Sequence, residues 1–172
     1  GLLNAILELE NPITDVTILN PYSFQAFHTA KLVVLDVKAR DSAGRLCNVE
    51  MQISVHPGLL PRMVYYASET YTDQLSAGDD YTKLNTTISI CLLTSNLFLD
   101  SDQVHHRFQM MDEKSGRKLD RVIEVHTVEL QKSRFDETTI SGANRLAQWC
   151  WLILNAHEYT AEGLRRIFPD LE

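Results

Sequence analysis

Residues 31–54, KLVVLDVKARDSAGRLCNVEMQIS, limit what this chain can fold into more than any other stretch. Side chains in a strand alternate between faces. Leu32, Val34, Asp36 and Lys38 therefore share one face of a first arm, and Asn48, Glu50 and Gln52 share one face of a second. Between the arms, Ser42-Ala43-Gly44 fits a three-residue hairpin loop, with glycine where the backbone needs a positive φ. Asp41 and Arg45 then flank the loop, and Asp36 falls opposite Glu50. Two carboxylates roughly 5 Å apart across a strand pair ordinarily destabilise it. A bound divalent cation would remove that penalty; so would simple hydration on an exposed hairpin. The pattern alone leaves both readings open.

The rest of the chain reads as one α/β unit. Residues 1–10 carry Leu2, Leu3, Ile6 and Leu7 at helical spacing, ended by Asn11-Pro12. Residues 14–19 fit a short extended edge, and Phe24 and Phe27 read as packing residues. Pro61 suits the first turn of a helix running to about Ser76, with Met63, Tyr66, Thr70 and Leu75 partly facing the sheet and Ala77-Gly78 as its cap. Residues 86–94, TTISICLLT, form a nearly continuous apolar run, as expected of a central strand covered on both faces. Two further extended runs, 105–111 and 123–130, surround the turn signal Glu113-Lys114-Ser115-Gly116. From Asp136 the chain turns helical, with Leu146, Trp149, Cys150, Ile153 and Leu154 as a core-facing stripe. A final short helix ends at Pro169.

Composition narrows the function classes. With 172 residues, 44% of them hydrophobic, the chain suits a single globular domain over residues 1–172. No run of about 18 apolar residues exists, so no membrane span is expected. The start lacks the basic region and cleavage site of a signal peptide. Cys47, Cys91 and Cys150 are odd in number and widely spaced, reading as buried free thiols in a reducing compartment, which makes the cytoplasm the expected location. His105 and His106 point to opposite faces of a strand and cannot chelate one metal together; His126 reads as a half-exposed strand residue. A small-molecule enzyme has little support, since no phosphate-cradling glycine loop is present. The net charge of −7 implies weak binding to nucleic acid by the domain alone, because phosphate contacts supply much of that affinity.

Asp36 followed by Glu50-Met51-Gln52 resembles the PD-(D/E)XK nuclease superfamily, and more closely its transposase-like branch, which includes the recombination-promoting nucleases. In that branch an acidic residue of one strand precedes Glu-x-Gln in the next, glutamine standing where the superfamily usually has lysine, as Gln52 does here. Arg62-Met63-Val64-Tyr65-Tyr66, Gly78-Asp79-Asp80-Tyr81, the apolar run 88–93, Val128-Glu129-Leu130 and Trp149 match later landmarks of the branch. Relatives carry a further helical segment ahead of these, so an N-terminal truncation is expected. The resemblance implies a restriction-endonuclease-like core, a mixed β-sheet flanked by helices. It further implies a metal-dependent DNA endonuclease associated with mobile elements and recombination.

The same resemblance assigns roles. Asp36 and Glu50 would hold Mg²⁺, or Mn²⁺ in its place, with the Met51 carbonyl as a further ligand. Gln52 would position a water. Apart from the resemblance, strand alternation puts Lys38 one same-face step from Asp36, where it would lend the positive charge glutamine lacks, or else simply reach solvent. Arg62 and Tyr66, one helical turn apart, would contact the substrate DNA, with Arg62 at the phosphate or orienting Glu50 or Gln52, or else be a solvated arginine and a core tyrosine. A homodimer would supply the two sites that double-strand cutting needs. The competing expectation is a nuclease-fold module that binds nucleic acid or a protein without cutting. Acidic side chains on opposite faces, or a fixed neighbouring cation seated on them, would count against the nuclease reading.

Overall fold

The computed structural model describes residues 1–19, 36–52 and 54–169. The expectations for Phe24, Phe27, Leu32 and Val34 fall outside them. Helix α1 (Leu2–Leu7) is followed by strand β1 (Val16–Ile18). Strands β2 (Asp36–Asp41) and β3 (Leu46–Gln52) form the hairpin. Its loop closes as its composition predicts. Gly44 takes φ 81°, and its N–H donates to the Asp41 carbonyl at 2.9 Å. The buried Asp41 carboxylate accepts from Ala43 N–H and Arg45 N–H on one oxygen and from Arg45 Nε at 2.6 Å on the other.

Helix α2 (Leu59–Thr72) leads into strand β4 (Thr87–Leu93). Pro61 sits in its first turn, where a missing N–H costs nothing. The helix ends four residues before the expected Ser76, and Gly78 does not cap it. Gln74 instead turns its amide onto Asn85, donating to the carbonyl at 3.0 Å and accepting from the N–H at 3.0 Å. Gly78, at φ 92°, serves a separate turn closed by Asp79 N–H on the Ser76 carbonyl. Strands β5 (His105–Gln109) and β6 (Ile123–Glu129) follow, then helices α3 (Arg145–Asn155) and α4 (Ala161–Ile167). The first long helix after Asp136 thus begins nine residues late. Asp136 spends its carboxylate on Thr138 and Thr139, and Asn144 caps α3 by accepting from Ala147 N–H at 2.9 Å.

The six strands lie in the order β1-β2-β3-β4-β6-β5. β3, β4 and β6 are mutually parallel, and the flanking pairs β1–β2, β2–β3 and β5–β6 are antiparallel. This is a mixed sheet flanked by helices, the restriction-endonuclease-like α/β arrangement that the resemblance implies. β4 is buried along its whole length, as expected for a strand covered on both faces. On one face Cys47, Val49, Ile88, Ile90, Leu92 and Val128 pack with Ile6 and Leu7 of α1 and Cys150 of α3. On the other, Leu59 and Met63 of α2 pack on Cys91, Leu93 and Val125.

α3 buries two sides. Leu146, Ile153 and Leu154 lean on the sheet cluster, while Ala147 and Trp151 join Ile140 and Phe168 in a third cluster. Trp151, not Trp149, is the fully packed tryptophan, because the C-terminal segment covers the side that a single stripe would leave to water. Among the described residues no helix is long and apolar enough to cross a membrane.

Candidate metal and phosphodiester site

Register brings the acidic positions together. Asp36 pairs with Glu50 and Lys38 with Asn48. Leu46 N–H donates away from β2, to the Thr86 carbonyl, and the Lys38 carbonyl accepts away from β3, from Leu19 N–H. Even-numbered residues of the hairpin therefore turn their backbone groups away from each other. That makes Asp36–Glu50 a non-hydrogen-bonded pair, whose Cα atoms lie about 4.5 Å apart. Positions 36, 38, 48, 50 and 52 share the sheet face covered by α2, since Glu50 and Gln52 register with Cys91 and Leu93 of that core.

Helix α2 adds the cation. Leu59, Met63 and Ala67, four residues apart, are buried against the sheet and fix the helix. Arg62, adjacent to Met63, is thereby carried to the flank facing β3. Its Nη2 donates to Glu50 Oε1 at 2.7 Å and reaches Gln52 Oε1 at 3.5 Å, a marginal contact. The arginine side chain is 41% exposed and that of Glu50 14%. The guanidinium is open to water while the carboxylate is largely covered, and an ion pair with an exposed partner of this kind contributes about 0–1 kcal/mol. Cys91 lies next to Glu50 in register, and burial, reinforced by the Glu50 charge, pushes its thiol up to about 12. It is inert floor, not a nucleophile.

The remaining named residues divide by distance. Tyr66 is exposed on α2 rather than turned to the sheet, and its ring centroid lies 5.9 Å from the Arg62 guanidinium carbon. Lys38 is exposed and lines a surface cavity with Thr70, Asp73 and Gln74, at the other end of α2 from Arg62. The Met51 backbone faces β2, because only the even-numbered positions of β3 turn theirs toward β4. The uncharged and anionic groups along this stretch of β3 offer oxygen: the Glu50 carboxylate, the Gln52 amide, the Met51 carbonyl, and the buried Asn48 Oδ1, which has no hydrogen-bond partner among the described residues. Such a set suits a hard divalent cation. Among the described residues no group of three or more His, Cys, Asp or Glu converges.

Two polar clusters escaped the reading of the sequence. Glu129, fully buried at the end of β6, accepts from Leu97 N–H at 2.6 Å and Phe98 N–H at 3.2 Å. Lys132 Nζ lies 2.9 Å from its other oxygen, out of line for a hydrogen bond, and donates to the Phe98 carbonyl at 2.8 Å. This pair ties the segment after β4 to the sheet end that carries Gln52. The only sequence signal for it was the Val128-Glu129-Leu130 landmark.

The second cluster lies on the opposite face. His126 is completely buried, not half-exposed, because β6 is an inner strand and residue 126 shares the face of Ile90 and Val128. Its Nε2 faces Glu124 at 3.4 Å and its Nδ1 lies 2.9 Å from His105 Nε2. Arg107 and Gln109 complete the cluster on Glu124.

Comparison with the curated proteins and with the solved structures returns no match. A family model does match, over residues 1–167, described as a PD-(D/E)XK nuclease family transposase, and the mixed six-stranded sheet flanked by helices is consistent with it. The chain belongs to the PD-(D/E)XK nuclease family transposases.

Proposed function

We propose that the chain is a metal-dependent DNA endonuclease, hydrolysing phosphodiester bonds in the service of mobile-element movement or recombination. The observation that carries this is the Asp36–Glu50 register pair with Gln52 on the same face and Arg62 bonded to Glu50. Asp36, Glu50 and the Met51 carbonyl would hold the cation. Mg²⁺ or Mn²⁺ bound there would acidify a water and polarise the scissile phosphate. Gln52 orients the attacking water through its amide but supplies no proton or charge. Arg62 orients Glu50 and presents a planar, bidentate donor to a phosphoryl oxygen, with Tyr66 beside it against the substrate. Lys38 adds positive charge from the neighbouring strand, at longer range. A homodimer would provide two such sites for double-strand cutting.

Nicking of supercoiled plasmid in Mg²⁺, lost in EDTA and in Glu50→Ala, is the expected result. One observation favours a second reading, a DNA- or protein-binding module without activity: Glu50 already has a cationic partner in Arg62. Plasmid left intact by the parent protein across Mg²⁺ and Mn²⁺ concentrations would establish that reading instead.

A further inference from the structure

The outward face of α2 carries Tyr65, which the proposed site does not use, beside Tyr66, which that site turns toward the substrate. Tyr65 is 65% exposed and Tyr66 43%, with ring centroids 5.5 Å apart and planes at 77°. Large aromatic surface left in water is costly, and two such rings in edge-to-face contact form a rigid projection with little entropy to lose on binding. The projection is tied to the acidic pair through a short chain of contacts. Glu50 bonds Arg62 at 2.7 Å, Arg62 lies 5.9 Å from the Tyr66 ring, and Tyr66 abuts Tyr65. Tyr65 and Tyr66 stand three and four residues after Arg62, one turn of about 5.4 Å along the helix. A nucleotide next to one held at Glu50 and Arg62 would fall against these rings.

The charge balance says what such rings are for. A domain with net charge −7 gains little from phosphate contacts, the sequence-independent source of most affinity for duplex DNA. Stacking of a base on an aromatic ring needs no counterion release. Within continuous duplex, however, both faces of every base are already stacked, so only an unpaired or extruded base can use the platform.

Resting on the nuclease reading of the adjoining site, we infer that Tyr65 and Tyr66 form a stacking platform for an unpaired base flanking the scissile phosphate. The preferred substrate is DNA with a bubble, flap or overhang, not continuous duplex.

Fluorescence anisotropy of the full chain in EDTA, where nothing is cut, tests this with two labelled DNAs of equal length: a closed duplex and the same duplex with a short mismatched bubble. The bubble is bound at least about fivefold more tightly per stacked base. Combined Tyr65→Ala and Tyr66→Ala substitution brings the ratio to one while leaving the salt dependence of binding unchanged. Combined Tyr65→Phe and Tyr66→Phe substitution keeps the ratio, because the rings remain. Equal affinities in the parent, or a preference that survives removal of both rings or vanishes with the hydroxyls alone, overturns the platform. Equal affinities would also be the result if the face served a protein partner.

Plasmid nicking is scored separately. A parent that nicks but binds both DNAs alike overturns the platform and leaves the nuclease reading standing. A parent that prefers the bubble but cuts nothing overturns the nuclease reading and leaves the platform.

Discussion

Arg62 Nη2 stands 2.7 Å from Glu50 Oε1, so the first turns of α2 and the middle strand of the acidic site are joined by one charge-assisted hydrogen bond. On the proposed reading, Arg62 both orients Glu50 and competes with a divalent cation for its carboxylate. Arg62→Ala is expected to slow plasmid nicking by about tenfold or more, equivalent to about 1.4 kcal/mol of barrier, while binding of Mn²⁺ measured by calorimetry becomes tighter. Stability changes by less than about 1 kcal/mol, as for other exposed pairs. Lys38→Ala lowers the rate less than Arg62→Ala does, since Lys38 lies against the far end of α2. The reverse order of rates would transfer the cationic role to Lys38.

Calorimetric titration also addresses the acidic pair directly. Parent protein is expected to release or absorb heat on addition of Mn²⁺, and Asp36→Ala and Glu50→Ala each to abolish most of it. Identical heats in all three proteins would remove the metal from the proposal.

Glu129 and Lys132 form a buried ion pair whose removal on one side leaves a charge without compensation. Glu129→Ala is expected to destabilise the fold by about 3–5 kcal/mol, read as a lowered urea midpoint, and to loosen the backbone N–H groups of Leu97 and Phe98 in hydrogen exchange. Exchanging both partners for apolar residues, Glu129→Leu with Lys132→Met, should recover part of the loss. A single substitution costing under about 1 kcal/mol would show that the clamp does not hold the segment.

Acid sensitivity follows from the buried cluster on the opposite face. Burial, then the charges of His126, His106 and Arg107, lower His105 from 6.5 to about 4. The unfolded chain takes up a proton between those values that the folded chain refuses, so stability is full above pH 6.5 and falls as pH drops toward 4. Burial acts to raise Glu124, but hydrogen bonds from His126, Arg107 and Gln109 outweigh it and bring it from 4.5 to about 2. Its stabilisation is present above 4.5 and is lost as pH falls toward 2. Urea midpoints measured against pH should show both steps, with His105→Gln removing the upper one. A flat profile between pH 6.5 and 4 in the parent is the contrary result.

Burial pushes Cys47, Cys91 and Cys150 up to about 12. Iodoacetamide at pH 8 should therefore modify none of them in the folded protein and all three in urea, as read by mass.

The amino-acid sequence by itself determined the hairpin and what it presents. A three-residue loop with glycine at its left-handed position sets the register, and a register of period two then places Asp36 against Glu50 with no help from elsewhere. The apolar run of β4 announced a strand buried on both faces for an equally local reason. Tertiary structure alone decided the rest. Alternation reports which face a residue takes but not where its strand lies in the sheet, so His126 was misjudged until β6 was seen between β4 and β5. The end of α2 depended on Gln74 finding Asn85, and the packing of Trp151 on the return of the C-terminal segment. Arg62 met Glu50 because Leu59, Met63 and Ala67 locked the helix onto the sheet. Each is a contact between segments distant along the chain, specified by which surfaces bury together and not by any local pattern.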